Sequence, residues 1–309
     1  MVYVGIDVGG TGLKAGVVDE NGKMLSKVSC PTGVERGYGP VIKDMANLAL
    51  KAIEESGVPM EEVHSIGIGI PGILDPRTGI VPFCTNLGWH RVPLIEEMHK
   101  YIDKPILVDN DATVAALAES VAGACAGVKN SVFLTLGTGV GGGVVIDGKV
   151  YSGAHGVGSE LGHMIVVIDG EECTCGNKGC WERYASATAL IRMGTEAAKA
   201  HPESVLNEAK SISAKTVVDA AKAGDKAAME VFDRYTYYLA VGIVNIINFI
   251  DPEIIAIGGG VSAAGEFLIQ PVREKLAKLV FYKTMPYARV ELATLGNDAG
   301  IIGAAMLGK

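Results

Sequence analysis

VGIDVGGTGLKAGVVDENGK, from Val4 to Lys23, and VFLTLGTGVGGGVVIDGK, from Val132 to Lys149, are two versions of one pattern. Each runs from a strand through a glycine-rich turn bearing a threonine into a second strand that ends in Gly-Val-Val, then into an Asp/Gly turn. The registers differ by a single residue, so the repeat is approximate. A hairpin recurring near the start of each half predicts a duplicated, two-lobed architecture. The competing reading is that any glycine-rich hairpin resembles another.

The rest of the chain fits that outline. Its 309 residues can hold two domains with real cores. With 49% hydrophobic and 20% charged residues it reads as ordered and globular. A net charge of −8, with Lys and Arg dispersed, argues against a sequence-independent grip on nucleic acid. The mean hydropathy of +0.30 raises the question of a membrane. The longest apolar run, Tyr237 to Ile250, falls short of the ~20 residues of a span and contains Asn245 and Asn248, so it reads as a core helix. The chain opens directly on the strand-like MVYVGIDVGG with no signal peptide. The expectation is a cytoplasmic protein without disulfides or membrane contact.

Periodicity predicts a helix over 41–56 and alanine content one over 112–122; helices are also read over 93–101, 266–279 and 299–307, and mainly helix over 184–200 and 213–250. Strands are predicted over 63–70, 105–108, 253–257 and 289–295. Strands alternating with helices make the class α/β. The lobe boundary is expected near Asn110, with residues 1–110 and 298–309 in a smaller lobe and 111–297 in a larger one.

The densest chemistry lies in GSELGHMIVVIDGEECTCGNKGCWE, Gly158 to Glu182. Cys173, Cys175 and Cys180 fall within eight residues, and His163 lies just upstream. Three thiolates and an imidazole make a closed four-coordinate zinc shell, the composition of a structural site. The C-x-C-x4-C spacing is not that of the usual ribbons, and a disulfide is the rival reading. Glu160 and Glu182 bracket the shell. Cys30, Cys84 and Cys125 are scattered in mostly apolar surroundings and read as small buried hydrophobes.

Asp7, Gly9, Gly10, Thr11 and Gly12 form a turn between two strands. It lacks the Walker spacing, and it does not open a helix as a Rossmann turn must. Its backbone N–H groups can still cradle a phosphate, with Thr11 adding a hydroxyl and Asp7 holding hydrated Mg²⁺; the alternative is a purely structural hairpin. Gly137, Thr138 and Gly139 repeat the motif, and Gly258, Gly259 and Gly260 end a third strand. Three such turns fit a nucleotide, two gripping phosphates and one lying against adenosine. Asp109-Asn110-Asp111 occupies a strand-to-helix junction, where α/β sheets place ligands. Asp111 serves either as a helix cap or as a general base toward a hydroxyl, with Asn110 beside it. Glu160, His163, Glu182 and the loop residue Asn86 add the donors and acceptors that a polyhydroxylated ligand requires.

These residues resemble the ROK (repressor, open reading frame, kinase) family. The resemblance rests on Asp7-x-Gly-Gly-Thr11, Gly69-Ile70-Pro71-Gly72, Asn110-Asp111-Ala112, Leu136-Gly-Thr-Gly139-x-Gly-Gly, Glu160-x-Gly-His163 and Cys173-x-Cys-Gly-x-x-Gly-Cys180-x-Glu182. They occur in the family's order and cover nearly the whole chain. The resemblance implies the two-lobed, actin-like ATPase fold of hexokinases and an ATP-dependent kinase acting on the 6-hydroxyl of glucose, with Mg²⁺ as companion ion. It makes Asp111 the base. Gly72, Asn86, Asn110, Glu160, His163 and Glu182 would bind the sugar, and the three glycine turns the nucleotide. One structural Zn²⁺ would be held by His163, Cys173, Cys175 and Cys180. A homodimer through the larger lobe is expected. Thr113 and Ala118 depart from the family's usual Asn-Asp-Ala-Asn stretch and should lie on the helix behind the base. Another hexose (N-acetylmannosamine, fructose or allose), polyphosphate as donor, and a non-catalytic sugar sensor remain alternatives. The family's repressors carry an N-terminal winged helix-turn-helix. Here the first glycine-turn strand begins at Val2, so no DNA-binding domain is expected.

Overall fold

The computed structural model describes residues 1–75 and 77–309. Side chains alternate along a strand, and in β1 (Val2–Val8) they divide between two cores. Val4, Ile6 and Val8 enter one core, while Tyr3 enters another. The glycine turn leads into β2 (Gly12–Asp19), antiparallel to β1, and then into β3 (Met24–Pro31), antiparallel to β2. Helix α1 (Tyr38–Ser56) starts at Tyr38 rather than Val41. It buries Val41, Met45, Ala49 and Ala52 in the first core and ends at a left-handed Gly57. Next come β4 (Val63–Ile70), parallel to β1, and three short antiparallel strands, β5 (Ile73–Asp75), β6 (Ile80–Cys84) and β7 (Trp89–Val92). These three form a separate small sheet that the sequence reading left unassigned, since they are short and Pro82 interrupts β6. Helix α2 (Leu94–His99), β8 (Ile106–Asn110), parallel to β4, and α3 (Asp111–Ala122) follow.

The second half begins with β9 (Ser131–Leu136), β10 (Val140–Ile146) and β11 (Lys149–Val150). After the cysteine-rich loop come α4 (Glu182–Ala185) and α5 (Ala187–Ala200), parted by Ser186, whose side chain caps α5. The stretch expected to be helical over 213–250 divides into α6 (Ala214–Lys222) and α7 (Lys226–Ile250). Gly224, at φ 87°, turns the chain, and Asp225 caps α7 by accepting from Ala228 N–H at 2.9 Å. The apolar run ending at Ile250 lies in α7 and buries Leu239, Ile243, Ile246 and Ile247. Among the described residues no helix is long and apolar enough to cross a membrane. The chain closes with β12 (Ile254–Gly258), α8 (Glu266–Leu279), β13 (Arg289–Leu292) and α9 (Ala299–Met306).

One sheet has the order β3-β2-β1-β4-β8 and the other β11-β10-β9-β12-β13. Both read third, second, first, fourth and fifth strand in chain order. The repeat seen between Val4–Lys23 and Val132–Lys149 is therefore a repeat of topology.

The chain forms two compact units. The first comprises Met1–Phe133, Gly143–Ser159 and Ala293–Lys309; the second comprises Leu134–Gly142 and Glu160–Leu292. The first unit extends past the boundary expected near Asn110 because α3 packs against α9. A Cβ on Gly303 of α9 would lie 1.6 Å from the carbonyl oxygen of Val114, so the two helices touch backbone to backbone. The same helix lies on the sheet: Cβ atoms on Gly5 and Gly67 would sit 1.9 Å from Ile301 O and 1.7 Å from Ala304 O. The return of the chain is held by Glu119, fully buried in α3. Its carboxylate accepts from Ala124 N–H at 2.7 Å, Thr294 N–H at 3.0 Å and Leu295 N–H at 2.9 Å.

A methyl group at these contacts would push backbone off backbone. Gly67→Ala and Gly303→Ala are each expected to cost about 3 kcal/mol or more, the upper range of overpacking. Gly39→Ala, where an added Cβ meets nothing within 4 Å, should be neutral or stabilising by up to about 1 kcal/mol. Denaturant titrations of the three variants check the contrast.

Candidate functional site

In the first unit the turn after β1 is closed by Gly9 N–H donating to Gly12 O at 2.9 Å. Asp7 lies opposite Lys14 across the hairpin, and the Lys14 Nζ donates to its carboxylate at 3.0 Å. Gly10 has no room for a larger residue to spare, because its Cβ would stand 3.2 Å from Asn86 O. Asn86, assigned from sequence to the sugar, thus rests against the glycine turn. Thr11 is exposed.

At the end of β8, Asn110 caps α3 by accepting from Ala112 N–H at 2.9 Å, and its Nδ2 donates to Gly72 O at 3.3 Å. Asp111 Oδ1 also accepts from Ala112 N–H, at 2.8 Å, so the capping role is present in this half-buried residue. Gly72 is pressed against β6, where its Cβ would lie 2.9 Å from Cys84 Cβ. The Cys84 Sγ donates to Pro71 O at 3.1 Å. Burial pushes that thiol up, and the nearby charge of Asp111 adds to the effect. Cys84 is buried as the sequence reading expected, yet it also builds the wall beside Asp111. Only its place in three dimensions reveals this, because a single Cys carries no spacing signal.

The second unit holds the remaining candidates. Gly137 N–H donates to Gly139 O at 3.0 Å, and Gly137 O accepts from Ala187 N–H at 2.8 Å. Thr138 is exposed, and its carbonyl accepts from Thr188 Oγ1 at 2.7 Å. Gly258 is buried, and Gly259, at φ 83°, packs where a Cβ would lie 2.5 Å from Leu136 N. That approach is open only to glycine. Gly260 opens a 3₁₀ turn.

His163, Cys173, Cys175 and Cys180 come together, their ligand atoms all within 4.8 Å of one another. Cys173 Sγ lies 3.8 Å from His163 Nδ1, and Cys175 Sγ lies 3.6 Å from Cys180 Sγ. Tetrahedral zinc with bonds of about 2.0–2.3 Å has ligand-to-ligand edges of about 3.5–3.8 Å, so the donor set fits such an ion. A disulfide requires about 2.05 Å, and all six cysteines are free. The Asn177 N–H, above all, holds the Cys175 thiol down to about 7, whereas burial pushes Cys180 up to about 12 and raises Cys173. Gly179, at φ 79°, lets the loop close, since its Cβ would lie 1.7 Å from Val167 O. Trp181 anchors the loop: its indole N–H donates to Tyr238 O at 2.8 Å and its ring fills the place a Cβ on Gly242 of α7 would need.

Glu182 accepts from Cys173 Sγ at 3.1 Å, and its other oxygen lies 2.5 Å from where a Gly139 Cβ would be. It therefore joins the cysteine cluster to the second glycine turn. Glu160 is exposed at the start of the 3₁₀ turn that carries His163, and its carbonyl accepts from His163 N–H at 3.1 Å. The sequence-predicted residues thus form two groups. Asp7, Gly9 to Gly12, Gly72, Asn86, Asn110 and Asp111 belong to the first unit, and Gly137 to Gly139, Glu160, His163, Glu182, Gly258 to Gly260 and the cysteines to the second.

The ROK family model matches residues 3–309. The chain is 40% identical over 309 residues to the glucokinase of Thermotoga maritima, spanning 98% of this chain and 96% of that protein. It is 38% identical over 312 residues to the glucokinase of Halalkalibacterium halodurans, spanning 99% and 94%. Among solved structures, the ROK family glucokinase from Streptomyces griseus in complex with glucose and AMPPNP superimposes with a TM-score of 0.82 at 35% identity, covering 99% of each chain. The α/β fold with its repeated sheet order is the actin-like, hexokinase-type ATPase fold.

Asp109, just before this junction, accepts from Ser152 Oγ at 2.7 Å and from Asn110 N–H at 2.8 Å. Burial raises its carboxyl above the usual range, against the lowering effect of those hydrogen bonds. A carboxyl whose pKa rises on folding weakens the fold above that pKa, and the loss fades as pH falls through the carboxyl range. Asp109→Asn, with the Ser152 hydroxyl rotating to suit the amide, should therefore melt at or above wild type near pH ~7, with the margin closing toward pH ~4. Melting curves of both proteins across that range give the answer, and a variant clearly weaker at neutral pH would contradict the account.

Proposed function

This chain belongs to the ROK family, and from that premise we propose that it is an ATP-dependent hexose kinase converting glucose to glucose 6-phosphate. The observation that carries the reading is the full-length match to glucokinases, one of them bound to glucose and a nucleotide analogue. The half-buried Asp111 at the first turn of α3 supports it locally.

In this reading Asp111 takes the proton from the sugar 6-hydroxyl as that oxygen attacks the γ-phosphoryl group. Asn110, oriented through Gly72 O, binds the sugar with Gly72 and Asn86. Glu160, His163 and Glu182 supply further contacts, His163 through the ring nitrogen that faces away from Cys173. Asp7, Gly9 to Gly12, Gly137 to Gly139 and Gly258 to Gly260 receive the nucleotide. Phosphoryl transfer depends chiefly on positioning and on neutralising charge. Mg²⁺ supplies part of that neutralisation when bound, and Asp7 is the residue that would hold its water shell. His163, Cys173, Cys175 and Cys180 would hold zinc, which would fix the loop that carries His163 and Glu182; four protein ligands would leave no place for substrate. We read the assembly as a homodimer through the unit that carries the cysteines, where Phe249, Phe281 and Met285 lie exposed.

Asp111→Asn should fold, keep its metal and lose roughly 10²–10⁴-fold in kcat, measured by coupled ADP release. A fully active variant would remove Asp111 from the base role. Stripping zinc with a chelator should raise the KM for glucose more than that for ATP, which steady-state kinetics on metal-free and reconstituted protein resolve. The same assay across glucose, N-acetylmannosamine, fructose and allose, with ATP and polyphosphate compared, separates a glucokinase from other hexose kinases. No turnover with any of them, despite sugar binding, would favour a sensor.

A further inference from the structure

Thr32 lies between β3 and α1, outside every residue assigned above, and is fully buried. Its Oγ1 donates to Gly9 O at 2.5 Å, and its N–H donates to Thr11 O at 3.2 Å. Two carbonyls of the first glycine turn are therefore clasped by one residue. Thr32 is itself held from behind. Its carbonyl accepts from Arg36 Nη2 at 2.8 Å, and that guanidinium also donates to Asp44 at 2.7 Å.

Peptide units are planar and trans, so the carbonyl of one residue and the N–H of the next point in opposite directions. Turning the Gly9 and Thr11 carbonyls toward Thr32 aims the Gly10 and Gly12 N–H groups the other way. Glycine peptides have little intrinsic preference between the two orientations. Without the hydroxyl, the Gly9–Gly10 unit is free to rotate and present its oxygen instead.

We propose that Thr32 is a positioning residue for the nucleotide: by holding the Gly9 and Thr11 carbonyls it sets the amides of the turn as donors for a phosphate. The proposal rests on the reading of Gly9 to Gly12 as a phosphate-binding turn. Thr32 touches neither substrate nor metal in this account, and its effect runs through backbone orientation alone. It should act on nucleotide affinity and leave the sugar side unchanged.

The test compares Thr32→Val, which removes the hydroxyl at nearly constant shape, with Thr32→Ser, which keeps it. AMPPNP binding by calorimetry on the full chain is read beside the KM values for ATP and glucose. For Thr32→Val the AMPPNP Kd and the ATP KM should rise about tenfold, the effect of one lost hydrogen bond of this kind, with the glucose KM unchanged. Thr32→Ser should stay within about twofold of wild type. Equal nucleotide affinity in the two variants would overturn the proposal, and so would a parallel rise in both KM values, the mark of general loosening. Should Thr32→Val fail to fold, Arg36→Met removes only the outer support and should raise the ATP KM about threefold, with no change counting against the proposal. Wild-type protein that binds no AMPPNP would instead bring down the phosphate-turn reading, and the proposal with it.

Discussion

The first unit depends on an approach of backbone to backbone. Helix α9 lies on β1 and β4 so closely that Gly5 and Gly67 cannot carry even a methyl group without displacing a carbonyl. On the opposite face of the same strands, Val4, Ile6, Ile66 and Ile68 fill an ordinary apolar core with α1. The sheet is thus bare at Gly5 and Gly67 on the side of α9, where Tyr3 also packs, and bulky on the other. Because α9 also touches α3 at Val114, the contact fixes the helix whose first turn holds Asn110 and Asp111. The strand-to-helix junction at Asn110 and Asp111 is in this way located by residues that have no side chain.

The second unit uses a different anchor. Its cysteine-rich loop has little regular structure, and a loop of that kind needs fixed points. Trp181, seated in the notch left by Gly242 of α7, is one, and the His163, Cys173, Cys175 and Cys180 cluster is the other. Glu182 lies next in sequence to the tryptophan and accepts from a cysteine, so its carboxylate is set from both sides.

Much of this was legible in the sequence, for reasons that differ by element. The glycine turns at Gly9 and Gly137 exposed the duplication because the same run of strand, glycine-rich turn and strand recurs in both halves. The clustering of His163, Cys173, Cys175 and Cys180 was legible because they are close in sequence. Helix α1 announced itself through apolar periodicity and α3 through its alanine content, whereas α6 and α7 read as one stretch. The small β5–β7 sheet did not, since its strands are short and one carries a proline. Neither Cys84 nor Thr32 could be recognised, because their importance comes from partners at Pro71, Gly9 and Thr11 that no local pattern links to them. The return of residues 298–309 to the first lobe was expected, but the inclusion of α3 in that unit was hidden in its contact with α9 at Gly303. Glycine contacts leave no hydrophobic signature.

The interruption of the first unit has a further consequence. Its sheet is complete by Asn110, but α9 and the Thr294–Leu295 segment that Glu119 holds come only after Glu160–Leu292. During synthesis the face of β1 and β4 that α9 covers must wait for the whole second unit to emerge. Until then Glu119 lacks the Thr294 and Leu295 N–H groups that satisfy it in the finished protein. The second unit, by contrast, needs nothing that comes after Leu292. The core between the sheet and α1, drawn wholly from residues before Asn110, can form early, but the closing of the first unit by α9 comes after the second unit has been delivered.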